Sequence, residues 1–451
     1  MLRCIAYTSL PRDPQEVRLL HHTSGGVVIA AVRYAQSPSP LFFTVVEMAA
    51  PNEQALPLRV VHVRVPRPAT VVSAITLVRS ADGAGIYVIV QAAEKTNVDA
   101  APASVTSYVY RRQVVTDDEE NGDGNEEHDH AAEDDVVSSP ATSVAPAATR
   151  VRYQRLPRAF ANADSVTWTA AAAFYPSESM LADGSSSVDA GVIPTGAFIT
   201  ASGGGACSGG ADTQLQLWQL CSTRVTLEAT WRVPALAGFA VQQILTLPGT
   251  QDVALLRYHN SVIEVNLAAL RHACAYGSTV TGNAFLSRTW RWSAHEQLTA
   301  CSVKDALLYA GTEGGAVLVW DLRKPTSTAT VAGSCGGSPP LCSFALKAPI
   351  TGLYAPYATG FITCDASGGV RDWRERGEAG VGESLNEEAE EGALRDVAGM
   401  AAAAATTQFP YRLRPPLEMP TGEEGYVSLD GHDNFAAMVG ESGRLCLYFC
   451  D

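Results

Sequence analysis

The chain has no long apolar run. No stretch nears the ~18 uninterrupted apolar residues that a membrane-spanning helix needs, and Ala401–Ala405 is far too short. Membrane insertion is therefore not expected. Leu2–Leu10 (LRCIAYTSL) lacks the extended apolar core of a secretory signal. Ten cysteines are scattered with no CxxC and no regular spacing. Together these absences read as a reduced, intracellular protein. Gly203–Gly210 (GGGACSGG) lacks the following Lys-Ser/Thr and the strand–helix context of a phosphate cradle, so it reads as a hairpin tip. No cofactor is expected.

Positive charge is missing where negative charge gathers. The net charge is −15, but residues 117–135 hold eleven Asp/Glu and no Lys or Arg. Residues 378–396 hold seven Asp/Glu against Arg395. Without these two segments the remainder carries +2, so the acidity belongs to inserts and not to the folded body. Such a chain is poorly suited to nonspecific nucleic-acid binding. The inserts, 116–148 and 377–408, read as solvated loops that bury too little to offset their ordering entropy. Their functional alternative is contact with a basic partner. Residues 384–405 are rich in helix formers and could make a short surface helix.

Catalytic constellations are also missing. Asp365–Gly369 (DASGG) has a serine, but no positioned His–Asp pair accompanies it, and Asp, Ser and Gly are what a tight turn demands. His128-Asp129-His130 sits in the acidic insert without the rigid support that a metal site needs. His21-His22 reads as alternation across a strand, one residue to each side. Cys446 and Cys450 read as small hydrophobes on one strand face. The chain is expected not to be an enzyme.

What is present is a repeated strand pattern. Leu307–Arg323 (LLYAGTEGGAVLVWDLR) is an apolar strand, a glycine turn and a second strand ending in Trp320-Asp321. Seven three-strand sets of this kind are read over 17–48, 71–110, 166–220, 241–267, 298–322, 350–373 and 426–449. Outer strands follow six of them, at Leu58–Val65, Val151–Leu156, Val225–Val233, Phe285–Trp292, Leu341–Leu346 and Pro410–Arg414. Several run into proline, at Pro66, Pro157, Pro234 and Pro415, as sheet-edge strands tolerate. The seventh set has no outer strand, and Leu2–Thr8 is left over to supply it.

The Trp-Asp ending and the four-strand period resemble the WD40 family across nearly the whole chain. The match is strongest at Trp320-Asp321, with Leu217-Trp218 and Asp372-Trp373 next; blades one, two, four and seven lack the pair. The resemblance implies an all-β, seven-bladed propeller in one domain over 1–451, its ring closed by the N-terminal strand. Trp218 and Trp373 are then structural. In the family's polar network His295 is a candidate loop histidine, while Gly314 stands where a turn acid is usual. Trp320-Asp321-Leu322-Arg323 has the WDxR form that docks on ubiquitin-ligase adaptors in some WD40 proteins, making Trp320, Asp321 and Arg323 candidate partner-binding residues.

A fainter resemblance, in blade order alone, is to WD-repeat nucleoporins of the Y-shaped outer-ring complex. It implies a scaffold subunit of a multiprotein assembly, with the nuclear envelope or nucleus favoured. Dynein, vesicle-tethering and chromatin complexes are alternatives. In such a disc, the inserts 116–148, 176–195, 271–284 and 377–408 leave one face; 92–104 and 202–213 leave the other.

Overall fold

The computed structural model describes residues 2–35, 40–49, 58–80, 85–94, 104–115, 150–157, 159–160, 167–174, 194–203, 212–221, 224–236, 238–247, 253–273, 279–292, 296–324, 340–346, 348–358, 360–375, 411–413 and 425–450. The acidic insertions 116–148 and 377–408, His128-Asp129-His130 and His295 lie outside these residues.

The chain opens with β1 (Leu2–Ser9). Blade one is β2 (Pro14–His22), β3 (Val27–Tyr34), β4 (Phe42–Ala49) and β5 (Arg59–Arg64). Blade two is β6 (Val71–Arg79), β7 (Ile86–Glu94), β8 (Ser104–Val115) and β9 (Arg150–Arg155). Blade three is β10 (Trp168–Phe174), β11 (Pro194–Ser202), β12 (Thr213–Cys221) and β13 (Val225–Val233). Blade four starts with β14 (Val241–Thr246), β15 (Val253–Tyr258) and β16 (Ser261–Asn266). It continues through a helix, α1 (Leu267–Ala273), and a short strand, β17 (Thr279–Thr281), to its own fourth strand, β18 (Leu286–Arg291). Blade five is β19 (Leu298–Lys304), β20 (Leu307–Thr312), β21 (Ala316–Asp321) and β22 (Cys342–Ala345). Blade six is β23 (Ile350–Tyr357), β24 (Gly360–Asp365), β25 (Val370–Glu375) and β26 (Tyr411–Leu413). Blade seven has β27 (Tyr426–His432), β28 (Phe435–Gly440) and β29 (Arg444–Cys450), and β1 takes its fourth place.

This is a seven-bladed β-propeller. Closure by the N-terminal strand is as the sequence predicts: Leu2 lies opposite Cys450 and Ser9 opposite Arg444, antiparallel. The core comprises apolar layers between neighbouring blades. One holds Phe43, Val45 and Val88 of blades one and two. Another holds Val17, Val28 and Leu445 of blades one and seven, so the last blade is packed on the first. Each blade therefore buries both faces. That is why β7 reads as a continuous apolar run, IYVIV, and not as an alternating one. Burying an apolar side chain of this size stabilises by about 1.5–3 kcal/mol.

One segment departs from expectation. Leu267 is predicted as the end of a strand and 271–284 as a plain loop; instead a helix begins at Leu267. Asn266 caps it, its Oδ1 accepting from the Ala269 N–H at 2.8 Å. The chain then lays β17 parallel to β13, making a fifth strand on blade three.

Candidate functional site

The third strands of blades three, five and six carry their tryptophans inward. Trp218, Trp320 and Trp373 are all buried. Trp218 Nε1 donates to Thr200 Oγ1 at 2.9 Å, and Trp373 Nε1 donates to Thr363 Oγ1 at 3.1 Å. Each threonine stands two residues beyond the one opposite its tryptophan. The same register in blade five puts Ala310 there, with no hydroxyl to offer. Phe198 stacks on Trp218 and Phe361 on Trp373. These residues hold blades together.

Of the three candidate partner-binding residues, only Arg323 reaches the surface. Its side chain is 75% exposed, whereas that of Asp321 is 10% exposed and Trp320 is buried. Asp321 holds Arg323 locally: Oδ1 accepts from the Arg323 N–H at 2.9 Å and from Nε at 3.0 Å, and Oδ2 faces Nη2 at 3.3 Å. These hydrogen bonds keep the Asp321 carboxyl below its ordinary range. Arg374 repeats the arrangement on Asp372 in blade six, at 3.0 and 3.4 Å.

The DASGG serine is a turn residue. Asp365 Oδ1 accepts from the Ser367 N–H and the Gly369 N–H, both at 2.9 Å, and from Ser367 Oγ at 2.6 Å. Asp365 Oδ2 pairs with Arg371. Burial alone would raise this carboxyl; Arg371 and the turn hydrogen bonds hold it below the ordinary value instead. The Ser367 hydroxyl donates to Asp365, but that carboxylate is already held by Arg371 and two turn amides, which makes it a poor base for activating a nucleophile.

The seven inner strands surround a cavity of about 430 Å³. Arg18, Gln243, Lys304, Tyr354, Asp430 and Asp433 give it polarity. Much of that polarity is spent on a structural problem. An inner strand is a sheet edge, and its outward N–H groups need acceptors. The Leu19 N–H donates to Asp430 Oδ2 at 2.7 Å and the Val17 N–H to Ser428 Oγ at 3.2 Å, joining blade one to blade seven. Gln243 clasps Cys301, donating to its carbonyl at 2.9 Å and accepting from its N–H at 3.0 Å. The Ala355 N–H donates to Ser302 Oγ at 3.0 Å. The Trp168 N–H donates to Gln91 Oε1 at 2.6 Å, between blades two and three. Sequence reasoning missed these bridges, because the acceptor and the amide belong to different blades.

Charged groups line the blade one–seven seam. Glu16 pairs with Arg18 and with Arg33, both at 2.5 Å. Burial raises the Asp430 carboxyl, opposed by nearby Arg18. Asp433 lies 3.2 Å from His432 and is hydrogen-bonded to His21 at 3.0 Å, and the two imidazoles hold its carboxyl well below the ordinary range. Tyr354 donates to the Asp433 carbonyl at 2.7 Å, and Gly431 makes room for it: a Cβ there would sit 2.2 Å from the Tyr354 ring. Among the described residues no group of three or more His, Cys, Asp or Glu could hold a metal.

No protein-family model matches the chain, and no curated protein matches it either. Solved structures do match. Raptor from Chaetomium thermophilum aligns over 99% of this chain with a TM-score of 0.50 and 11% sequence identity. The chain spans 28% of the length of that protein. At this identity the likeness is one of fold.

Proposed function

We propose that this chain is a non-catalytic scaffold, a propeller subunit of a multiprotein assembly. The observation that carries this reading is the use of polarity in the channel. Asp430, Ser428, Gln243 and Ser302 are engaged in joining blades, which leaves the disc faces and rim as the surfaces for partners. The connections β8–β9, β10–β11 and β25–β26 all start and finish on the same face, by the alternation of an antiparallel blade. The Raptor-like fold fits a platform of this kind. Purification of the tagged protein is expected to recover a stoichiometric set of other proteins. Recovery of the chain alone would contradict the reading.

The finer assignment is to the nuclear pore outer ring. Its support is blade order: a low-complexity insert, 377–408, separates a Trp373-bearing sixth blade from a short last blade. A fluorescently tagged chain should give a nuclear-rim signal and co-purify with nucleoporins; diffuse cytoplasmic signal would set the assignment aside. The exposure of Arg323 favours a second reading, docking on a ubiquitin-ligase adaptor. For that reading, adaptor recovery must disappear in Arg323→Ala.

A further inference from the structure

The chain has 28 arginines and only four lysines. Seven of those arginines fall in three strands at the rim of two adjacent blades. β5 reads RVVHVR, β8 SVTSYVYRRQVV and β9 RVRYQR, with no acidic residue in any of them. Arg112 is accounted for: its fork meets Glu47 of blade one at 2.9 Å on both oxygens, with Tyr153 also on Glu47. Arg64, Arg111, Arg150, Arg152 and Arg155 are exposed. Among the described residues no carboxylate pairs with Arg64, Arg111, Arg152 or Arg155; Arg152 Nε instead donates to Gln113 at 2.9 Å. A chain of net charge −15 thus carries a concentrated basic strip on blades one and two.

The strip coincides with a sheet edge that is open among the described residues. There β9 is the last strand of its sheet and pairs with β8 alone. The Leu156 N–H points inward, to the Val109 carbonyl at 2.8 Å. By strand alternation the backbone groups of Val151, Tyr153 and Arg155 point outward. Blade three shows what such an edge accepts: β17 lies parallel on β13, Thr230 opposite Thr279 and Arg232 opposite Thr281. Tyr110 joins the two blades, donating to the Arg64 carbonyl at 3.1 Å while standing opposite Arg155.

We infer that the outer edge of β9 binds an extended acidic segment of a partner protein, which adds to blade two as a fifth strand. Backbone pairing supplies the register. Carboxylates at alternate positions of the added strand meet Arg152 on one face and Arg155 on the other. Guanidinium groups suit this use because they bind carboxylates by two parallel hydrogen bonds. A duplex nucleic acid would use the charge and ignore the strand edge. The inference rests on the scaffold reading and names the chemistry of one partner.

The test is a fluorescence-anisotropy titration of the full chain with a short labelled peptide alternating Glu and Val. Saturable binding is expected, weakened about tenfold or more in the pair Arg152→Glu and Arg155→Glu. The milder pair Arg152→Gln and Arg155→Gln, with an unchanged melting temperature, separates lost binding from lost fold. A peptide of the same charge with alternate backbone amides methylated should not bind. Equal binding by wild type and the charge-reversed pair overturns the inference, as does equal binding of the methylated peptide. Tighter binding of a DNA duplex than of the peptide overturns it too. Failure of the titration beside recovery of a stable assembly removes the rim site alone. Failure to recover any assembly removes the scaffold reading, which the titration does not measure.

Discussion

The inner and outer edges of these blades are built from the same backbone but treated differently. At the channel, neighbouring blades stand close enough for short side chains to seal the edge: Asp430 reaches the Leu19 N–H, and Ser302 reaches the Ala355 N–H. At the rim, β9 keeps an edge that is open among the described residues and flanked by arginine. Blade three covers its rim edge with the chain's own β17. The difference teaches where this molecule spends its polarity on holding itself together and where it has polarity to offer.

The comparison breaks most severely if the ring can be opened without consequence. Removing Leu2–Ser9 exposes β29 along its whole length and strips Leu2 from its layer. The expected outcome is aggregation, read by size-exclusion chromatography, and loss of a cooperative melting transition. A truncated chain that melts like wild type would contradict the closure.

Next comes the seam between blades one and two. Glu47→Ala leaves buried Tyr153 and mostly buried Arg112 around a missing carboxylate. Stability should fall by about 3–5 kcal/mol, measured by urea denaturation. A loss no larger than that of an ordinary surface substitution would move Glu47 out of the seam.

A pH series sharpens the account of the blade one–seven seam, because Asp430 and Asp433 act with opposite sign. Asp433 is depressed, so its contribution is present above the ordinary carboxyl value and is lost as pH falls through its folded value. Asp430 is raised, so stability is lost as pH climbs from the ordinary value through its folded value. Asp433→Asn should therefore flatten the acid limb of melting temperature against pH. Asp430→Asn should remove the loss on the rising side while its amide oxygen still accepts from Leu19. The smallest effect is expected at Arg323, which is solvated and held by its own neighbour. Arg323→Ala should leave the melting temperature unchanged.

Much of the fold could be read in advance because a propeller repeats. The runs over 298–322 and 350–373 have strand-length apolar segments divided by turn residues, and a missing last strand matched a spare first one. DASGG also folds as the turn its residues demand, with Asp365 at its centre. Other features depend on neighbours that only the ring creates. Gln243 has no local reason to be polar; it answers Cys301, in the next blade. The β17 strand escaped notice because three residues, Thr279–Thr281, carry too little pattern to stand out. The helix before it did leave a signal, Asn266 ahead of Leu267-Ala268-Ala269-Leu270, where capping outweighs continuation of the strand. The basic rim was hidden by the acidic inserts, which dominate the net charge.

Residue-resolved hydrogen exchange tests the sealed inner edge most directly. The amides of Leu19, Cys301 and Ala355 receive no ladder bond from their own blade and depend on Asp430, Gln243 and Ser302. They are expected to exchange as slowly as the ladder amides of β3, with Leu19 alone accelerated in Asp430→Ala. Exchange of all three at the rate of an open loop would contradict the claim that neighbouring blades close the channel edge.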